Sequence, residues 1–347
     1  MTRTVEIRYQ ILRNGAEYCE LHSIEESAPL LQMNETDEIK ISLSGDFIED
    51  PRINWLTDEI RPRLIIDGVT SPLGVYLPAT VTPSEDESTK SVRVEAFDRC
   101  WRVRDNYTET LLYFPAGSLY VEVVKQLLAA CGISIVIATP STATLSESRE
   151  DWEIGTSYLT IINDLLSEIN YNQLWFNADG ASVLEPAAVP SALNIKHILD
   201  DNDVRSLLFP RIERTTDIYN APNVFICICS NADKSAPMVA TAENNNPQSP
   251  LSIQRRGRRI VSVEHINNIA SQAELQAYTD RRRNESIITG EQITAYTALL
   301  PGFGVGDVTA LHYGDLSTVC IERAWSMELC VGGEMKHDLE RVVIALG

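Results

Sequence analysis

Four arginines surround one glycine in "NNNPQSPLSIQRRGRRIVSVEH", at Arg255, Arg256, Arg258 and Arg259. Guanidinium groups at that density bind phosphates, make charge-assisted contacts to carboxylates, or simply open a strand. The chain around them carries a formal net charge of −20. Nucleic-acid binders draw their affinity from neutralised phosphates, so this balance argues against the first use. Residues that could catalyse are scattered. The five histidines (His22, His197, His265, His312, His337) lie far apart, none at ligand spacing from another. Asp151 and Glu153 flank Trp152 as an acid/base pair would, but 49 acidic residues supply many such pairs by chance. There is no G-x-S-x-G elbow, no H-E-x-x-H and no P-loop. "PGFGVGDV" (Pro301–Val308) has glycine at every second position, yet no helical pattern follows it to form a phosphate site. It reads as a turn feeding the strand "DVTAL". No catalytic residue, metal site or cofactor is implied.

The seven cysteines lack the paired spacing of a zinc site. Cys227 and Cys229 share one face of the strand "NVFICICS" and read as small buried hydrophobes. The five tryptophans sit in separate segments and do not interleave with basic residues, so no base- or sugar-stacking platform emerges.

The elements that carry these residues follow from periodicity. A length of 347 residues, 44% hydrophobic and 22% charged, indicates a globular chain of two or three domains. No apolar run approaches the ~20 residues of a membrane helix. The start "MTRTVEIRYQIL" is not a signal peptide, so synthesis in a cytoplasm is expected. Residues 1–105 alternate as strands do: Val5, Ile7, Tyr9 and Ile11; Ile39, Ile41 and Leu43; Val92, Val94 and Ala96. Asp67-Gly68 marks a hairpin and "SEDEST" (Ser84–Thr89) a solvated tip. Residues 106–205 form an α/β block. One helix has Ser118 at its cap position and Gly132 at its end. Another buries Leu159, Ile162, Leu165, Leu166 and Ile169, and a hairpin turns at Ala178-Asp179-Gly180. Residues 206–347 return to strands, interrupted by a helix at about 271–285. Ser271 and Glu274 open that helix with capping-box spacing, and Arg281–Arg283 sit where its dipole favours cations. Arg255–Arg259 reads as the start of a strand, with Arg256 and Arg258 on one face and Gly257 at a bulge or close approach.

Taken in order, "DWEIGTSYLTIINDLLSEINYNQLWFNADG", "APNVFICIC", "NNPQSPLSIQRRGRRIV", "LLPGFGVGDVTAL" and "ERAWSMELCVGGEMKHDLERVV" resemble the central hub proteins of phage tails and contractile injection machines. "INWLTDEIRPRLIIDGVTSPLGVYLPATV" continues the resemblance in the first block. It implies a mainly β fold, with two tube-protein-like antiparallel β-barrels joined by a small α/β domain. It also implies a homotrimeric ring that adapts a six-fold tail tube to a three-fold spike or tip and leaves a central channel. The implied partners are further copies of the chain, tail tube protein, spike or tip protein, tape-measure protein and other baseplate proteins. DNA only passes through, and no membrane is entered. The implied location is the virion tail or baseplate. Arg255, Arg256, Arg258 and Arg259 become candidate interface residues against an acidic neighbour. The competing classes are a tail-associated cell-wall hydrolase and a receptor- or glycan-binding tip module. "LERVVIALG" reads as a last strand with no extra domain expected after it, and the middle block is short for a hydrolase, so wall cleavage by this chain is not expected.

Overall fold

A computed structural model describes residues 3–24, 27–85, 90–187, 191, 193–216, 221–230, 237–266, 269, 271–287 and 291–342. The first block holds β1 (Val5–Arg13), β2 (Ala16–Leu21), β3 (Leu30–Asn34), β4 (Ile41–Ile48), β5 (Glu59–Ile66), β6 (Val69–Pro72), β7 (Tyr76–Glu85) and β8 (Lys90–Asp98). Its alternating apolar residues face one interior: Val92, Val94 and Ala96 of β8 are buried, as are Tyr9 and Phe47, whose rings meet edge to face at 5.1 Å. Asp67 and Gly68 both take positive φ (49° and 82°), the left-handed pair that a two-residue hairpin needs, and join β5 to β6. Past β2, the Ile48 N–H donates to the His22 carbonyl (2.8 Å) and the Ile24 N–H to the Asp46 carbonyl (3.1 Å). The block thus curls back on itself. Residues 86–89 of the acidic tip lie outside the described residues.

The α/β block has its own core. α1 (Cys100–Arg104), at the end of the first stretch, packs Cys100 and Val103 into that core, and the block itself comprises α2 (Tyr120–Ala130), β9 (Val136–Ala138), α3 (Tyr158–Glu168), β10 (Trp175–Phe176) and β11 (Ser182–Leu184). The sheet order is β10-β11-β9, with the hairpin turning at Gly180 (φ 79°). The expected stripe of α3 is buried, and Ser157 caps the helix by accepting the Leu159 N–H. The cap expected at Ser118 falls one residue short. Tyr120, drawn into the core, is the first helical residue, so Leu119 occupies the cap position without a side-chain bond. Gly132 ends the segment at φ 74°, as expected.

β12 (His197–Asp200), from the end of the 106–205 stretch, pairs with β18 (Val308–Tyr313) of the last block, which also contains β13 (Leu208–Thr216), β14 (Val224–Cys229), β15 (Met238–Glu243), α4 (Ile253–Arg256), β16 (Val261–Ile266), α5 (Gln272–Ile287), β17 (Glu291–Ala298), β19 (Leu316–Glu328) and β20 (Glu334–Val342). The decisive pairing is β3 with β19, which sets Leu31 opposite Met327 and Met33 opposite Trp325. It joins both β blocks into one fourteen-stranded sheet along the path β13-β17-β20-β19-β3-β4-β8-β7-β5-β1-β2. One hydrophobic core runs through both. The fold is mainly β, as expected.

Three strands stand apart. β15, β14 and β16 form a separate small sheet in which β14 and β16 run parallel. α5 covers one face of it through Cys227, Cys229, Ala240 and Leu275. Ser271 caps α5 by accepting the Glu274 N–H (3.2 Å), but the Glu274 side chain turns away to Asn170 in the α/β block. The helix runs on to Ile287, so Arg281–Arg283 do not occupy its last turn and the dipole does not explain them. Side-chain partners hold them instead: Glu264 binds Arg282 at 2.9 Å, Asp280 binds Arg283 at 3.1 Å, and Arg281 lies over the Tyr278 ring. Among the described residues no helix is long and apolar enough to cross a membrane.

Candidate assembly interface

Among the described residues histidine meets carboxylate twice, and both meetings belong to one packed column. His197 Nε2 lies 3.0 Å from Asp307, and its ring stacks on Phe303 with centroids 3.8 Å apart. Phe303 in turn lies 4.7 Å from the ring of His337, which is fully buried between Glu322 (3.1 Å) and Thr297 (3.0 Å). Sequence spacing gave no sign of this, because the link is the phenyl ring of the glycine-spaced loop. Burial alone would raise the Asp307 carboxyl; hydrogen bonds from His197, Lys196 and the Gly304 N–H hold it below its ordinary value. Loss of hydration pushes Glu322 up. The column pins "PGFGVGDV" against β12 and β20, and this turn feeds β18 as expected.

Other pairs are structural or incomplete. Ser317 and His312 face each other at 2.9 Å across the exposed β18–β19 hairpin. Among the described residues no carboxylate is hydrogen-bonded to that imidazole to orient it as a base. Asp151 and Glu153 do not act together. Asp151 binds Arg149 (2.7 Å), whose guanidinium also binds buried Glu168 (2.8 Å) and lies over Trp152. Tyr120 donates to the same Glu168 at 2.7 Å. Among the described residues no three His, Cys, Asp or Glu side chains gather as a metal requires, and the cysteines are free thiols.

The arginine stretch is built differently from the expected strand. Ser252 Oγ accepts the Arg255 N–H, and Gly257 takes φ 63°, so a cap and a stop lie one turn apart. The arginines therefore ride the short helix α4 and its exit, and Arg256 and Arg258 do not share a strand face. Gly257 is no bulge or close approach: a Cβ there would meet nothing within 4 Å, and its positive φ alone calls for glycine. A buried polar floor holds the loop. Asn244 donates to Ser249 (3.0 Å), and Asn223 donates to the Arg258 carbonyl (3.0 Å) and accepts the Ile260 N–H (2.7 Å). Arg255 reaches the Pro247 carbonyl, Arg256 the Ala221 carbonyl, and Arg259 pairs with Glu243 at 2.6 Å. Arg258 is exposed.

This loop leads into a sheet face that α5 leaves uncovered. Strand register sets Ile226 beside Val263 and Ile228 beside Val239, on the side opposite Cys227. Val239, Val261 and Val263 are 49%, 51% and 54% exposed. Arginines beside an open aliphatic face suit protein contact better than catalysis.

No known family's sequence model matches the chain, and no curated protein matches it. Solved structures do. The tail protein from Neisseria meningitidis MC58 aligns over 96% of both chains with a TM-score of 0.65 at 13% identity. The fold is that of phage tail proteins. The 43 kDa tail protein of prophage MuSo2 from Shewanella oneidensis shares this tail-protein fold, with a TM-score of 0.65 at 12% identity over 96% of this chain and 98% of that one. The E. coli c3393 protein, a type VI secretion component described as similar to T4 tail proteins gp27 and gp5, aligns at TM-score 0.53 and 10% identity. That alignment spans 99% of this chain and 77% of c3393. The tail-protein fold agrees with the resemblance read from the sequence.

Proposed function

We propose that the chain is a structural, non-enzymatic part of a phage tail or phage-like particle, the trimeric hub of its baseplate. The observation that carries this reading is the β3–β19 seam, through which two β blocks share one ladder and one core. Two rigidly joined blocks per chain, taken three times, present six comparable units to a six-fold tube and three chains to a three-fold spike. The whole-length likeness to tail proteins supports the same role.

On this reading residues 1–105 and 206–347 are the two tube-like domains, and 106–205 braces them. Tube, spike or tip, tape-measure and other baseplate proteins are the partners, and the chain resides at the distal end of the tail. Arg255, Arg256, Arg258 and Arg259 border a protein interface, with Arg255, Arg258 and Arg259 exposed. The net charge of −20 gives the channel an electronegative wall, which lets DNA pass without holding it. Removing the chain from its particle is expected to leave tails without an assembled baseplate, seen by electron microscopy. Complete tails lacking the chain would overturn the assignment. A reproducible clearing band from the purified chain in a cell-wall zymogram would overturn its non-enzymatic part.

A further inference from the structure

A cavity of ≈ 260 Å³ lies where the three blocks meet. Leu31, Ile41 and Leu73 come from the first block, Phe176 from the α/β block, and Phe303 and Met327 from the last. These walls are apolar, but three further lining residues are not satisfied. Asp98 Oδ2, Trp175 Nε1 and Trp325 Nε1 have no hydrogen-bond partner among the described residues, although the three side chains are at least nine-tenths buried. Buried polar atoms are nearly always paired, so three orphans around one cavity point to an occupant. Two other polar side chains lining the cavity near the glycine loop are already engaged: Lys196 and His197 both bind Asp307.

We propose that this junction cavity binds a small uncharged molecule with an apolar body and at least one acceptor oxygen. The two indole N–H groups donate to that oxygen or to a pair of them. Asp98 meets a second polar group, and the aliphatic and phenyl walls take the body. The site is independent of the hub reading and would survive its failure. Because each block supplies part of the wall, an occupant also clamps the blocks together, so ligand binding raises thermal stability.

N-acetyl-leucinamide, which is uncharged and joins an isobutyl group to two amides, serves as the probe. It is titrated into the full ¹⁵N-labelled chain while the tryptophan indole N–H resonances are followed. Saturable shifts of the Trp175 and Trp325 signals, with those of Trp55 and Trp101 unmoved, are expected. Trp175→Phe and Trp325→Phe each remove one donor while keeping a ring, and each is expected to weaken binding about tenfold. Trp55→Phe is expected to leave it unchanged. The wild-type titration decides the matter even where a variant folds poorly. Absence of saturable shifts, equal affinity in the folded Trp175→Phe and Trp325→Phe variants, or a cavity holding only ordered water in the presence of the probe overturns the proposal.

Discussion

Replacing Asp98 with asparagine should raise stability relative to the parent progressively as the pH rises. Asp98 is 3% exposed; its Oδ1 accepts the Cys100 N–H at 2.9 Å, and its Oδ2 has no partner among the described residues. Burial pushes its carboxyl from the ordinary 3.8 up to about 7, against the hydrogen bonds from Cys100 and the weaker pull of Lys40. The folded chain therefore holds a proton that the unfolded chain releases between about pH 4 and pH 7. Stability is greatest with that proton bound, falls as the pH rises through this window, and levels off above it. At roughly 1.4 kcal/mol per pH unit, the full cost approaches about 4 kcal/mol, of which about 2–3 kcal/mol accrues between pH 5 and pH 8. Asparagine keeps the acceptor for Cys100 and cannot ionise. Its unpaired amide adds a cost that does not vary with pH. Urea unfolding followed by tryptophan fluorescence should thus show the D98N-minus-parent stability rising by about 2–3 kcal/mol from pH 5 to pH 8. A difference that is flat or falls with pH would refute the reasoning.

Further substitutions probe other parts. Leu31→Ala, at the seam opposite Met327, should cost about 2–5 kcal/mol, and both β blocks should still unfold in one transition; two separable transitions would mean that they are independent. Arg149→Ala strands the buried Glu168 and should cost about 3–5 kcal/mol in a denaturant titration, while the paired change Arg149→Met with Glu168→Leu should restore most of it. A single-variant loss near zero would show that the pair is not buried as described. Arg258→Glu should leave the free energy of urea unfolding within about 0.5 kcal/mol of the parent but weaken assembly with tail partners in sedimentation; unchanged assembly would leave Arg258 as surface charge.

Local patterns carried most of the fold, and the exceptions have identifiable causes. β8 was legible because Val92, Val94 and Ala96 alternate over a core on one side only. The stripe of α3 and the Asp67-Gly68 turn were equally local signals. The β3–β19 pairing was not legible, since the register of strands nearly three hundred residues apart leaves no mark in either one. The arginine stretch reads as extended in the sequence although Ser252 and Gly257 carry cap and stop signals one turn apart, because the alternation of "IVSVEHI" beyond them masks the turn. The column of His197, Phe303 and His337 was invisible because none of its members is adjacent in sequence to another. The three orphan polar atoms of the junction cavity come from three separate blocks, and only the packed chain brings them together.

Copy number and symmetry test the hub assignment most directly. The chain, mixed with its tube protein, is imaged end-on by electron microscopy and weighed in solution. A ring of three copies around an open channel, seated on the end of a six-fold tube, is the expected result. A monomer that ignores the tube, or a ring of any other copy number, would contradict it.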